Sequence, residues 1–345
     1  MINLIKPAKL SPGDKIATVS LSWGGAGDES LLWRYNLGKK RIEELFGLEV
    51  IEMPNTLKGS DYLYNHPEKR AEDLMAAFAD SSIKAVFSCI GGNESVRILP
   101  YIDFEIIRNN PKIFIGYSDS TVTHFMCLKA GLSSFYGASI LAELAENVEV
   151  FVYTVYWLRK ILFDTSPIGL ISAADQWTGE HLDWTESNRS VQKKMVMNRG
   201  YDFLQGNGVS RGRLIGGCIE VLEMLKGTTL WPDNEYFKDA ILFFETSEDM
   251  PAPTYIEYWL RNYGSQGILQ QAKAIVFGKP CQEKYYEEYK CSIQKVLTEL
   301  GLNNLPVLYN ASFGHNEPMI CIPYGAMAEV NCNDKTFSIL ESGVR

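Results

Sequence analysis

The sequence predicts an α/β protein in which an N-terminal doubly wound parallel sheet precedes a smaller C-terminal α/β domain rich in β-strands. Short β-branched runs alternate with stretches of helical spacing through the first 150 residues, which indicates βαβ units. Regular periodicity is lost near residue 166 and returns near residue 213. We therefore expect domains at residues 1–165 and 213–345, joined by a long segment at residues 166–212.

The N-terminal part contains predicted strands separated by predicted helices. Strands with this spacing pair in parallel and cross over right-handed, so we expect a flavodoxin-like or amidotransferase-like sheet with helices on both faces. Pro67 suits a first helical turn, because the donor that proline lacks would be unpaired there. The predicted strands are Lys15–Leu21, Leu48–Met53, Ile83–Ile90 and Lys112–Gly116, and the predicted helices are Leu31–Phe46, Pro67–Asp80 and Ser120–Ala130.

The segment from Ser166 to Gly212 is rich in glycine and asparagine and follows no period. A loop of this length inside a compact protein is usually functional. Trp177 and Trp184 favour a functional segment, because tryptophan is costly to leave in water. Packing of both rings on the domain seam is the alternative.

The last 130 residues mix βα units with an all-β end. Alternation around Asn333-Asp334 predicts two strands joined by a hairpin. The predicted strands are Asp239–Glu245, Ala272–Phe277, Leu305–Tyr309, Met319–Pro323, Ala326–Asn331 and Thr336–Leu340, and the predicted helices are Tyr255–Tyr263 and Glu288–Leu300.

Charge and composition exclude several classes of protein. The 345 residues carry 33 Lys plus Arg against 42 Asp plus Glu, and the net charge of -9 has the wrong sign for a binder of phosphate backbones. No stretch approaches the roughly 18 apolar residues of a membrane span, and Pro7, Pro12 and Asp14 interrupt any signal-peptide core. The seven cysteines show no CxxC pair, which predicts reduced thiols, no metal site and a cytoplasmic protein.

Ligands of open parallel sheets bind beyond the carboxyl ends of the strands, so the strand exits are the places to search. Gly24-Gly25-Ala26-Gly27 follows the first strand. Neither the dinucleotide fingerprint nor the Walker spacing is present there. A glycine-rich turn into the next helix is therefore a better account of this string than a phosphate cradle.

The string Gly116-Tyr117-Ser118-Asp119-Ser120 delivers Ser118 from a strand to a tight turn before a helix, which is the geometry of a nucleophile elbow. The N–H of Asp119 then lies at a helix N-terminus, where the dipole favours a developing oxyanion. Gly92, after the neighbouring strand, offers a second amide whose backbone can approach a substrate closely. Ser118 is not within a full G-x-S-x-G, so a helix-capping serine is the alternative.

A serine nucleophile needs a base and a group that orients the base. Of the four histidines, His315 stands between Gly314 and Asn316, in a loop of small residues that leaves the ring free to reach across a domain seam. Glu245 closes an apolar strand that would shield a carboxylate held against an imidazolium. A solvated strand end is the alternative for Glu245, but the pairing with His315 favours the catalytic interpretation.

Further short motifs occur in order along nearly the whole chain. They are Gly91-Gly92 followed by Ser95 to Tyr101, Gly116 to Thr121, Leu214 to Gly217 with Gly227-Thr228, Leu242 to Glu245, Phe277 to Lys279, and Gly314-His315 followed by Pro318-Met319. Together they resemble the LD-carboxypeptidase family of serine peptidases, most closely its microcin C self-immunity (MccF-like) branch. The resemblance implies Ser118 as nucleophile, His315 as general base and Glu245 as its orienter. It also implies Gly92 and Asp119 as the oxyanion amides.

The resemblance extends to the substrate contacts. The segment with Trp177 and Trp184 is similar to an insertion of the self-immunity branch, in which an aromatic residue covers the substrate. Gly91, Asn93 and Cys218 are further expected contacts. The family often has Asn directly after the second Gly-Gly pair, so Cys218 implies the loss of a polar contact. No histidine flanks Cys218 in sequence, and Ser118 remains the expected nucleophile.

Residues and resemblance together predict a cytoplasmic serine carboxypeptidase, without metal or organic cofactor, that acts on an amide bond of a small peptide-like substrate. A toxic peptidyl- or aminoacyl-nucleotide and a cell-wall tetrapeptide with an L,D amide bond are the two candidate substrates. A non-catalytic small-ligand-binding protein is the alternative from another class. The family also implies a homodimer, and neither a nucleic acid polymer nor a membrane is expected as a partner.

Overall fold

The structure, a computed structural model, describes residues 4–345, so the first three residues of the expected N-terminal domain lie outside it. Within the described residues the strands are β1 (Lys15–Val19), β2 (Glu49–Glu52), β3 (Ile83–Ser88), β4 (Ile113–Gly116), β5 (Phe135–Tyr136), β6 (Gly169–Ile171), β7 (Gln176–Trp177), β8 (Val196–Met197), β9 (Asp202–Gln205), β10 (Val209–Cys218), β11 (Ala240–Glu245), β12 (Ala274–Gly278), β13 (Val307–Ala311), β14 (Ile322–Pro323), β15 (Met327–Asn331) and β16 (Thr336–Ile339).

The α-helices alternate with the strands through most of the chain. They are α1 (Leu32–Phe46), α2 (Ser60–Asn65), α3 (Pro67–Ala79), α4 (Phe104–Asn109), α5 (Thr121–Ala130), α6 (Val152–Leu162), α7 (Ile219–Leu225), α8 (Pro253–Ser265), α9 (Ile268–Gln271) and α10 (Tyr286–Glu299). No helix among residues 4–345 combines the length and apolarity that a bilayer crossing requires.

The first sheet has the order β14-β5-β4-β3-β1-β2. Its strands from β5 to β2 run parallel, with α-helices between them in sequence, which confirms the predicted doubly wound N-terminal half. The four predicted strands and three predicted helices of this half lie within two residues of their expected bounds. Pro67 opens α3 at its first position, as expected.

The second sheet has the order β6-β16-β15-β10-β11-β12-β13-β9. Its centre, β10 to β13, is parallel and its flanks are antiparallel, so the predicted strand-rich α/β architecture is confirmed. The predicted tail hairpin is present, with β15 and β16 paired antiparallel. Strands β6 and β9 belong to the segment at residues 166–212, so the second sheet recruits both ends of that segment.

The sequence predicts no strand at the position of β10, because glycine and arginine residues there disfavour strand formation locally. It forms because it pairs with β11 on one side and β15 on the other, over registers that local sequence cannot reveal. Gly216 of β10 lies so close to β11 that a side chain at this position would collide with the backbone of Phe243.

The two sheets share one apolar core, and β14 joins them physically. This short strand follows the His315 loop and pairs antiparallel with β5, with Ile322 opposite Tyr136. The C-terminal half of the chain therefore completes the edge of the N-terminal sheet. The loop that carries His315 is thereby held next to the strand exits of both sheets.

Candidate active site

Ser118 follows β4 by two residues, in a one-turn 3₁₀ helix, Ser118–Ser120, that leads into α5. Its φ is +60°, in the left-handed region that residues other than glycine seldom occupy, and such strained residues cluster at functional sites. Gly91 permits this turn, because a Cβ there would lie 2.8 Å from Ser118 Cβ and 3.0 Å from its Oγ. The backbone after β3 therefore passes directly beside the Ser118 hydroxyl.

The turns after β3 and β4 are fastened together by the Asp119 side chain. This carboxylate accepts the N–H groups of Glu94 at 3.0 Å and Ser95 at 2.8 Å. The Gly91 carbonyl accepts the Trp23 N–H, and in a trans peptide the Gly92 N–H points the opposite way. Among residues 4–345 that N–H has no protein acceptor. It is therefore available to a ligand.

His315 and Glu245 form a buried pair. His315 Nδ1 lies 2.7 Å from Glu245 Oε2, and their side chains are 8% and 0% exposed. Glu245 ends β11, and the His315 loop packs against its carboxylate, because a Cβ on Gly314 would lie 2.7 Å from Glu245 Oε2. The Tyr117 ring packs edge-on against the imidazole at 5.0 Å. The imidazole orientation is therefore fixed by a carboxylate on one side and an aromatic ring on the other.

The second imidazole nitrogen, His315 Nε2, faces the exposed carboxylate of Glu248. A Glu248 oxygen lies 2.9 Å from Nε2 and forms an ion pair with it, but within the described residues Nε2 makes no hydrogen bond of regular geometry. Ser118 and His315 line the same cavity, but no hydrogen bond joins them in this state. The nitrogen that a serine base must use is thus ion-paired with Glu248 and has no hydroxyl bound to it.

The charge of the His315 imidazole is set by opposing effects. Burial lowers its pKa, but the Glu245 and Glu248 carboxylates outweigh burial and raise the pKa of His315 well above its ordinary value. The imidazolium in turn lowers the pKa of Glu248 to about 2. The two carboxylates therefore favour the protonated form of His315 while Glu248 stays in place.

A cavity of about 1070 Å³ opens over Ser118 and His315. Its far wall is aromatic: Trp184 stacks on Trp23 with ring centroids 6.4 Å apart, and the Arg34 guanidinium lies 4.6 Å from the Trp184 ring. Sequence reasoning singled out Trp184 but not Trp23 or Arg34 as contacts. The signal for Trp23 was its position at the exit of β1, whereas nothing local distinguished Arg34, which lies within α1.

The structure brings most of the expected site residues to this cavity. Gly91, Gly92 and Asn93 line it together with Ser118, His315 and Trp184, while Glu245 lies buried behind His315. Trp177 lies outside the lining, with the Lys279 ammonium 4.2 Å from its ring. Among residues 4–345 no group of three His, Cys, Asp or Glu side chains could hold a metal ion.

Cys218 also lies outside the cavity lining, buried at the end of β10. Its N–H donates to Thr121 Oγ1 at 3.2 Å, and its sulfur lies 3.4 Å from a Glu220 oxygen. Burial and the nearby carboxylates of Glu245 and Glu220 raise the pKa of the Cys218 thiol well above its ordinary value. The thiol is therefore protonated and unsuited to nucleophilic attack, in agreement with the preference for Ser118.

A buried ion-pair cluster fastens the irregular segment to the protein body. Lys193 Nζ lies 2.6 Å from Glu146 and also pairs with Glu317, and all three side chains are at most 12% exposed. Burial raises the pKa of Glu317 to about 8, despite the opposing effect of Lys193. The segment that contributes Trp184 to the cavity is thus held in place by one cation between two acidic side chains, Glu146 and Glu317. Sequence reasoning missed this cluster, because a lysine in a polar stretch is usually solvated.

Replacing Lys193 with Met should destabilise the protein by about 3 kcal/mol, because it leaves the Glu146 carboxylate buried without its cation. Glu317, with a pKa of about 8, is mostly protonated at pH 7 and adds little to the loss. Urea unfolding at pH 7 measures the change. The control is Lys40→Met, which removes an exposed pair with Glu44 and should change the free energy of unfolding by less than about 0.5 kcal/mol. Equal effects of the two variants would contradict the role given to Lys193.

Comparison with known proteins identifies the family to which this fold and this site belong. The LD-carboxypeptidase N-terminal domain matches residues 16–137, and the LD-carboxypeptidase C-terminal domain matches residues 211–330. The chain is a member of the LD-carboxypeptidase family of peptidases. This confirms the resemblance drawn from the short motifs.

Individual relatives cover nearly the whole chain. The crystal structure of an MccF-like protein from Streptococcus pneumoniae in complex with AMP is 33% identical, with a TM-score of 0.87 over 94% of this chain and 98% of that one. The microcin C7 self-immunity protein MccF of Escherichia coli is 29% identical over 86% of this chain and 85% of its own length. A Bacillus subtilis protein named "Probable murein peptide carboxypeptidase" is 28% identical over 88% and 85%.

Proposed function

We propose that this protein is a serine carboxypeptidase that hydrolyses an amide bond of a small peptide-like substrate through Ser118, His315 and Glu245. The observation that carries the proposal is the buried His315–Glu245 pair facing the same cavity as a serine in a strained turn. Three segments far apart in sequence supply these groups. Such convergence is what an acyl-transfer site requires and what a passive pocket does not need.

The proposed mechanism gives each of these groups one role. Ser118 Oγ attacks the substrate carbonyl carbon while His315 Nε2 takes the hydroxyl proton, and Glu245 stabilises the imidazolium through Nδ1. The N–H groups of Gly92 and Asp119 donate to the oxyanion. His315 then returns the proton to the leaving amine, and water attacks the resulting ester to release the acid and free Ser118.

This sequence of steps requires His315 Nε2 to leave Glu248 and accept the Ser118 hydroxyl. The Glu248 side chain is 70% exposed, so its displacement by a bound substrate costs little packing. The Glu245 and Glu248 carboxylates therefore favour the protonated base until a substrate displaces Glu248.

A peptidyl- or aminoacyl-nucleotide is the favoured substrate. The stacked Trp23–Trp184 pair and the Arg34 cation offer a flat aromatic surface at one end of the cavity, and the related Streptococcus pneumoniae structure contains AMP. A cell-wall tetrapeptide with an L,D amide bond is the second candidate, which the Bacillus subtilis relative's name suggests. Such a peptide has no base to stack on the tryptophans.

Incubation with each substrate class distinguishes the two. Mass spectrometry should detect an amino acid and a nucleoside product from an aminoacyl sulfamoyl adenosine, and little terminal amino acid from a muramoyl tetrapeptide. Trp184→Ala should raise KM for the nucleoside substrate. Release of an amino acid from the tetrapeptide alone would favour the tetrapeptide over the aminoacyl-nucleotide as the substrate.

A fluorophosphonate probe distinguishes the enzyme from a non-catalytic binding protein. We expect one equivalent of label on wild-type protein, located at Ser118 by peptide mapping. Protein that binds nucleosides but takes up no label would support the binding-protein alternative. We further propose a cytoplasmic homodimer, as the family resemblance implies, and sedimentation equilibrium tests the dimer.

Replacing Glu248 with Gln should move the acid limb of the kcat/KM profile to lower pH by about one unit. Activity requires neutral His315, and the two carboxylates raise its pKa, so wild-type activity should rise as pH increases through and above neutrality. Removing one carboxylate charge lowers the pKa of His315. The control is Glu29→Gln, which removes an exposed carboxylate from the same cavity without an ion pair to His315. An unchanged acid limb in E248Q would refute the effect of Glu248 on the pKa of His315.

A further inference from the structure

Tyr136 is the last residue of β5, and its hydroxyl lies between two members of the proposed catalytic group. The side chain is buried, with only 1% of the residue exposed. Its oxygen accepts the Ser118 N–H at 3.1 Å, and its O–H donates to Glu245 Oε1. The other oxygen of that carboxylate is the one bonded to His315. One continuous chain of hydrogen bonds therefore runs from the Ser118 backbone through Tyr136 and Glu245 to His315.

The donor and acceptor roles in this chain are fixed. A backbone N–H only donates and a carboxylate only accepts, so the Tyr136 proton must point toward Glu245. Burial, with a further contribution from Glu245, raises the pKa of Tyr136 well above its ordinary value, so the phenol keeps its proton across the working pH range. The hydroxyl therefore cannot serve as a proton carrier, and its contribution is positional.

Other buried tyrosines in this protein show what a structural hydroxyl looks like. Tyr309 donates to the Tyr286 carbonyl at 3.0 Å, and Tyr324 donates to the Gly216 carbonyl. Each of these hydroxyls satisfies one backbone carbonyl and contacts no member of the triad. Tyr136 differs because its two partners are the backbone of the nucleophile and the carboxylate that orients the base.

The ring of Tyr136 is held rigidly enough to fix its hydroxyl. Phe243 packs edge-on against it at 5.7 Å, and the His124 ring lies 5.6 Å away. Burial lowers the pKa of His124 to about 3, and its nitrogens bond Ser134 and the Gly116 carbonyl, so it is a neutral packing group. The main chain of Tyr136 is paired on both sides, with β4 and β14.

We infer that Tyr136 is a positioning residue, whose hydroxyl fixes the Ser118 turn and the Glu245 carboxylate relative to one another across the two sheets. The inference rests on the proposed function. Without the hydroxyl, the Ser118 N–H would lose its acceptor in a strained turn, and Glu245 Oε1 would lose its donor. Both losses act on the proposed catalytic group. The hydrogen bond to Glu245 matters most, because a hydrogen bond to a charged group is stronger than one between neutral groups.

Tyr136→Phe should lower kcat by about 10-fold to 100-fold with little change in KM, because hydrogen bonds to a buried charge are lost at a distance from the substrate. The acid limb of the kcat/KM profile of Y136F should also move to higher pH than in wild type. Without the Tyr136 donor, more of the negative charge of Glu245 acts on His315, and this raises the pKa of the imidazolium. The other groups facing that imidazole are Glu248, Tyr117 and Cys281, and none of them contacts the Tyr136 hydroxyl.

The experiment compares wild type, Y136F and Y309F by the pH dependence of kcat/KM on the responsive substrate and by the rate of fluorophosphonate labelling. Y309F removes an equally buried hydroxyl outside the site and should leave both readouts unchanged. If Y136F fails to fold, 3,5-difluorotyrosine at position 136 replaces it. This residue keeps the hydroxyl but donates more strongly, and should move the acid limb to lower pH.

The outcomes are distinguishable from those of the proposed function. Wild-type protein without label or turnover would refute the proposed function itself. Labelled, active wild type whose acid limb is unmoved in Y136F, or unmoved in the difluorotyrosine protein, would refute the role of Tyr136. A limb displaced upward in Y136F, with the Y309F limb unchanged, supports it, because lost stability alone does not move a pH profile.

Discussion

Replacement of Ser118 by Ala should reduce turnover of the responsive substrate by about 10⁶-fold, the loss typical of removing the nucleophile from a triad. Only the hydroxyl group is removed, and the cavity, the His315–Glu245 pair and the aromatic wall remain. Substrate affinity should therefore change little. Single-turnover kinetics and isothermal titration calorimetry of the variant measure the two quantities separately.

Ser120→Ala is the matched control for this prediction. Ser120 lies in the same turn, but its hydroxyl is buried and donates to Ser88 Oγ at 3.2 Å, away from the cavity. This variant should retain turnover near the wild-type level. An S118A protein with most of its activity, or an S120A protein that loses as much as S118A, would end the assignment of Ser118.

Glu245→Gln should reduce kcat by about 10⁴-fold, as when the orienting carboxylate of a triad becomes an amide. The amide presents a donor where His315 Nδ1 needs an acceptor, so the imidazole takes the wrong tautomer. It also carries no charge to stabilise the imidazolium. The measurement is the pre-steady-state rate of acyl-enzyme formation, and the loss should appear in that step.

The control for Glu245 is a half-buried carboxylate close by, Glu220. Glu220 accepts the N–H of Ser247 at 2.8 Å and its hydroxyl at 2.7 Å, but it contacts neither His315 nor Ser118. Glu220→Gln should cost some stability and leave acylation largely intact. A similar rate loss in both variants would show that general disturbance of this region, and not the loss of an orienting group, explains the effect of E245Q.

Much of the N-terminal half was predictable because its signals are local. The strand exits that carry Gly91 and Ser118 follow buried β-branched runs, and parallel strands bring such exits to one edge of a sheet. His315 was also identifiable, since a histidine among small residues after a strand is free to reach a neighbouring carboxylate. These inferences needed only the hydrophobic periodicity, the spacing of the motifs along the chain and the residue types.

Contacts between distant segments were beyond local reasoning. Strand β10 forms through pairing on both of its sides, and Lys193 finds its two carboxylates far away in sequence. Tyr136 resembles any buried aromatic residue until β14 and β11 bring its hydroxyl to Glu245. The charge of a lysine or the hydroxyl of a tyrosine gives no sign of which partner it will meet.

The pairing of β14 with β5 limits how this family can be recombined. A chimera that exchanged everything after residue 211 for the equivalent part of a relative would bring in a foreign edge strand beside Tyr136. The half that carries Ser118 would then depend on backbone pairing with its new partner as well as on side-chain packing. We therefore expect functional hybrids to require the native Phe135-Tyr136 and Ile322-Pro323 segments to be transferred together.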